Sequence, residues 1–83
     1  MSGSNKVKLF EANMGDFVRI TDLHMSGVMR RRLLDLGFVP GAIVKILRKS
    51  PLGDPIAFRV CQTTIALRKE ESMNIEGELM DDE

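Results

Sequence analysis

The chain has no tryptophan and no tyrosine, and its aromatic content is four phenylalanines in 83 residues. A platform for single-stranded nucleic acid stacks bases on aromatic faces, so that class is disfavoured. The single cysteine, Cys61, rules out an internal disulfide and suits a reducing compartment. The single histidine, His24, stands apart from any Cys-x-x-Cys, His-x-x-x-His or Glu-x-x-His pattern. A closed zinc site takes about four side-chain ligands, so neither a metal site nor a bound cofactor is expected. There is no long apolar run, which excludes a membrane-spanning helix. The start, "MSGSNKVK", lacks the apolar segment of a secretory signal. Gly37 and Gly41 are four apart with no following Lys-Ser or Lys-Thr, so no phosphate-binding loop is present. Without a nucleophile–base pair or paired carboxylates placed by a motif, the chain is not expected to be an enzyme.

What remains is 43% hydrophobic and 29% charged, with zero net charge. That composition suits one small soluble domain. The charge is unevenly placed. Arg30, Arg31, Arg32, Lys45, Arg48 and Lys49 face only Asp35 between Val28 and Ser50, while the chain ends on Glu70, Glu71, Glu76, Glu78, Asp81, Asp82 and Glu83. Residues 1–7 are expected to be a flexible leader, with Ser2-Gly3-Ser4 read as a cloning remnant. Residues 8–77 are expected to form the domain, and 78–83 a flexible acidic tail.

Along the chain, "FVRITDL" alternates as a half-buried strand, with Val18 and Ile20 on one side. Ser26 can cap a helix running to about Leu36. At about 100° per residue, Met29, Leu33 and Leu36 share one face and Arg31 lies opposite, one turn from Asp35. Arg32 flanks the apolar face, its stem over the core and its head in water. The three arginines diverge around the helix and cannot line one nucleic-acid groove. Gly37 fits a left-handed helix stop, with Phe38 packing back on Leu33. Val39-Pro40-Gly41 has the signature of a type II turn. "AIVKILRK" is a strand with apolar residues on both faces, "SPLGDP" a loop, and "IAFRVC" a strand with Ile56, Phe58 and Val60 inward. Gln62-Thr63 can connect it to "TIALR". "KEES" allows one helical turn, and "MNIEG" a last strand with Met73 and Ile75 inward. A strand, a helix and four more strands on short connections make a small, strongly bent antiparallel barrel with one helix covering it.

The run "RRRLLDLGFVPGAIVKILRKSPLGDPIAFRV...TIALRKEE" closely resembles the ferrous iron transport protein A family (FeoA), from about Met14 to Glu76. Its most specific parts are "RRRLLDLGFVPG", "SPLGDPI" and "ALRKEE". Two loops depart from the family pattern: "CQTT" stands where a glycine-containing hairpin turn is expected, and "LHMSG" is a short entry to the helix. The resemblance implies a mainly β fold, a small SH3-like barrel with one α-helix after the first strand. It implies a small cytoplasmic accessory protein of bacterial ferrous iron uptake, drawn to the inner face of the membrane by its partner. That partner would be the membrane permease with a cytosolic GTP-binding domain, and the role that of a protein-binding module. The alternative is a regulatory or nucleic-acid-binding barrel, related to the SH3-like domain of metal-dependent repressors. Those repressors pair it with a separate DNA-reading domain, and no nucleic acid is expected to bind here.

A docking module should expose apolar groups on a rigid frame. Leu34 sits off the main helical stripe, and Pro51-Leu52 lies in a Pro/Gly loop. These are the expected partner-binding residues, with Arg31 and Asp54 as polar neighbours. Leu52 is the sharpest of them, since an apolar loop tip has few uses in a core. Edge strands of so small a barrel can also pair between copies, giving a weak homo-oligomer.

Overall fold

The computed structural model describes residues 5–80. Six strands form one antiparallel sheet: β1 (Lys6–Lys8), β2 (Phe17–Leu23), β3 (Ile43–Lys49), β4 (Ile56–Val60), β5 (Thr63–Leu67) and β6 (Ile75–Met80). Their spatial order is β1-β6-β2-β3-β4-β5. Helix α1 (Gly27–Leu36) follows β2, a 3-10 turn (Leu9–Glu11) follows β1, and the single turn α2 (Lys69–Ser72) links β5 to β6.

Two register shifts bend the sheet round its core, one on β2 between Ile20 and Asp22 and one on β3 between Ile46 and Arg48. An extra residue on one strand kinks it and increases local twist. Inside, Val18, Ile20, Val44, Ile46, Ile56, Phe58, Val60, Leu67 and Ile75 are buried, together with Leu9, Leu33 and Phe38. Phe38 and Phe58 meet edge to face, with centroids 6.2 Å apart, the favoured geometry for aromatic quadrupoles.

Helix α1 ends as its sequence dictates. Gly37 adopts φ +109°, which costs little without a Cβ. Its N–H donates to the Leu34 carbonyl and that of Phe38 to the Leu33 carbonyl, each at 3.0 Å. This double closure is a Schellman motif, and it drops Phe38 into the core beside Leu33. The Ala42 N–H then donates to the Val39 carbonyl at 2.9 Å across Pro40 and Gly41 (φ +95°), closing the expected type II turn. Ser26 is the N-cap, although its hydroxyl makes no capping bond.

Several local expectations need revision. Lys6–Lys8 form a strand and Ile75–Met80 another, so the sheet extends past the expected limits of 8 and 77 at both ends. Residues 1–4 of the expected leader and 81–83 of the expected tail lie outside the described residues. Strand β1 is too short and charged to show a period, and exists because β6 pairs with it, Lys6 to Glu78 and Lys8 to Glu76. The β4–β5 turn is Cys61-Gln62, not Gln62-Thr63, because Val60 pairs with Thr63. Met73 is exposed at the end of α2, where the chain has not yet entered β6. On β3 only Val44 and Ile46 are buried, and Ile43 is half exposed.

Candidate functional site

The loop after β3 is held at its base. Ser50 donates to the Pro55 carbonyl through both N–H (3.2 Å) and Oγ (2.9 Å), and the Gly53 N–H donates to the Ser50 carbonyl (2.7 Å). Pro51 is exposed, and Leu52 projects from this braced loop with 93% of its surface in solvent. Asp54 serves the framework, because its Oδ1 accepts the Lys69 N–H at 2.8 Å and ties the loop to the start of α2.

On α1, Arg31 reaches Asp35 at 3.8 Å with both side chains largely in water. Such a pair contributes only a few tenths of a kcal/mol. Leu34 is half buried beside it, while Val28, not among the residues expected from sequence, is 84% exposed. Arg30 and Arg31 point to solvent, but Arg32 donates to the buried carboxylate of Glu71. Glu71 also accepts the Arg68 N–H at 2.9 Å. The helix residues and the loop residues are thus joined indirectly, through Arg32, Glu71, Arg68 and Lys69.

A shallow depression elsewhere is lined by Phe17, Ile43, Lys45, Arg59, Cys61 and Gln62. Lys45 and Arg59 are directly opposed across β3 and β4, and the Lys45 ammonium lies 5.4 Å from the Phe17 ring centre. Gly37 backs onto this wall: a Cβ there would come within 3.0 Å of Cys61 Sγ. His24 does not line this wall and pairs instead with Glu76 on β6.

That second group is not foreseen by any sequence motif. Asp22, His24 and Glu76 offer one ligand atom each, all within 4.8 Å of one another. His24 Nε2 donates to Glu76 Oε1 at 2.7 Å, and Lys6 Nζ donates to Asp22 Oδ2 at 3.1 Å. The hydrogen bond from Lys6, followed by a contact from Thr21, lowers the Asp22 pKa below its ordinary value, and the same bond raises that of Lys6. The only hint in the sequence is Asp-Leu-His at a strand end. Glu76 arrives from 52 positions away, through strand register alone.

The sequence profile of the FeoA domain matches residues 7–79, nearly the whole chain. The chain belongs to the FeoA family. A relative from Porphyromonas gingivalis is an Fe(2+) transport protein A/Fe(2+) transporter FeoB fusion protein, 35% identical over 74 residues, covering 89% of this chain and 9% of that one. The solution structure of iron(II) transport protein A from Clostridium thermocellum superimposes with a TM-score of 0.86 at 39% identity, over 89% of this chain and 46% of that one. This chain therefore spans less than half the length of both. Stenotrophomonas maltophilia FeoA, solved with zinc and described as a prokaryotic SH3 domain protein, gives 0.73 at 32% identity, over 87% and 89% of the two chains. The expected SH3-like barrel is borne out. A manganese-dependent transcriptional repressor gives 0.79 at 15% identity, over 94% and 44%; identity that low shows the shared fold alone. Among the described residues no helix is long and apolar enough to cross a membrane.

Proposed function

We propose that this chain is a non-catalytic docking module of ferrous iron uptake, working on the cytoplasmic face of the membrane by binding the cytosolic GTP-binding domain of the iron permease. The observation that carries this reading is the Porphyromonas gingivalis relative, in which a segment matching 89% of this chain is fused to a FeoB transporter. A fusion makes association intramolecular and so favours partners that already meet. The chain's own surface supports the same reading. Leu52 is held in water by a braced loop, where it adds nothing to the core and can anchor in a partner's pocket. Arg31 and Leu34 supply a second contact on α1, with Pro51 and Asp54 shaping the loop. On α1, two of the three adjacent arginines face carboxylates, Arg32 bound to Glu71 and Arg31 to Asp35, which disfavours the repressor-like alternative.

The test is titration calorimetry with the permease's cytosolic domain, with and without guanine nucleotide. Burying a leucine side chain is worth about 1.5–3 kcal/mol, so Leu52→Glu should weaken binding by about tenfold or more. The melting temperature should stay unchanged, because the side chain is exposed. Wild-type affinity in Leu52→Glu removes the loop from the interface, and no binding by the wild type removes the docking reading.

A further inference from the structure

We infer that Asp22, His24 and Glu76 form a binding site for a divalent first-row transition-metal ion on the outer face of the sheet. This rests on their own geometry and not on the docking role proposed above.

The argument starts with the bulge on β2. Val18 and Ile20 point inward, so strict alternation would send Asp22 and His24 inward too. The register instead steps from Ile20–Gly77 to Asp22–Glu76, leaving Thr21 as the extra residue. The bulge turns Asp22 outward, returns Leu23 to the core side and brings His24 out beside Asp22. Bulges often re-aim side chains in this way. The same register puts the Glu76 carboxylate directly across from Asp22. Like charges in that relation repel, so the position favours a cation between them.

The frame is stiff. The His24 N–H donates to the Asn74 carbonyl at 2.7 Å, and Thr21 Oγ1 donates to the Glu76 carbonyl at 3.2 Å. Metal–ligand bonds to His nitrogen and carboxylate oxygen are about 2.0–2.2 Å. Two donors on one ion are therefore at most about 4.4 Å apart. The spread of up to 4.8 Å closes with a small rotation of exposed side chains. An imidazole nitrogen with two carboxylate oxygens suits ions of intermediate hardness, and three protein ligands leave further positions for water. The site has its own competitor: the Lys6 ammonium sits on Asp22, and a metal must displace it.

The experiment uses the full chain with Mn²⁺ and Zn²⁺ separately. Calorimetry should give one saturable site. His24→Ala and Glu76→Gln should each weaken it by at least about tenfold, a loss that even a supporting contact to a metal ligand produces. Lys6→Ala should strengthen it severalfold by removing the competing ammonium. A merely destabilising substitution has no means of doing that. Substoichiometric Mn²⁺ should broaden the amide resonances of Asp22–His24 and Asn74–Glu76 before any others. Unchanged affinity in His24→Ala, a Lys6→Ala affinity at or below wild type, or broadening centred on Asp81, Asp82 and Glu83 each overturns the assignment.

Discussion

Gly77 carries more of this fold than its size suggests. It is buried on β6 between β1 and β2, and a Cβ there would lie 2.4 Å from the Arg19 carbonyl oxygen and 2.6 Å from a Val18 methyl. One of those neighbours is backbone and cannot swing aside. Gly77→Ala should therefore destabilise the protein by about 1–3 kcal/mol, the usual cost of overpacking, as read from urea midpoints at unchanged m-value. Glu71 works differently. Its buried carboxylate is matched by the Arg32 guanidinium and the Arg68 N–H, which is how a charge is kept inside at tolerable cost. The same carboxylate ties α1 to α2, adding to the core packing of Leu33, Met29 and Leu36 that seats the helix on the barrel.

At the scale of elements, the β4–β5 hairpin is the least comfortable connection. Cys61 and Gln62 both take positive φ, +52° and +64°, as a type I′ turn requires. Asn-Gly fits those angles far better than Cys-Gln. Replacing both (Cys61→Asn with Gln62→Gly) should stabilise the protein by about 1 kcal/mol, visible as a higher melting temperature, since a side chain held in the left-handed region costs about that much per residue. The seam between β1 and its neighbours depends on pH at its outer end. Asp22 has a lowered pKa in the folded state, so its contribution is present above the ordinary value of 3.8 and fades as pH falls through the folded one. Lys6 has a raised pKa, so its contribution is present below 10.5 and fades as pH rises through its folded value. Both groups lie in solvent, so the effect is local. Carboxyl-carbon NMR should place the Asp22 midpoint below 3.8, and Lys6→Met should return it towards that value.

At the scale of the molecule, the two proposed sites fall on different parts of the barrel. The core holds the curled sheet, α1 and α2 lock together over it, and Leu52 is carried out on a loop tied down by Ser50, Pro55 and Asp54. The proposed metal site lies on the outer surface of β2 and β6, at the end of β2 that runs past the start of β3, whereas the loop leaves the opposite end of β3 after Lys49. Docking and metal binding can therefore be tested separately: Leu52→Glu should leave Mn²⁺ binding unchanged, and His24→Ala should leave permease affinity unchanged.

The helix stop at Gly37-Phe38, the type II turn at Pro40-Gly41 and the inward triplet Ile56, Phe58 and Val60 were legible from residues alone. Each is a local matter: a left-handed glycine, a fixed proline φ, a two-residue alternation. The exposure of Leu52 was legible for the same reason. Tertiary structure decided the rest. Lys6–Lys8 became a strand only because β6 lies beside it, and Asp54 and Arg32 took structural partners that arrive from α2. Asp22, His24 and Glu76 meet because a single extra residue on β2 reverses which side faces out. Pairing and register depend on contacts between distant segments, and no local pattern in this sequence encodes them.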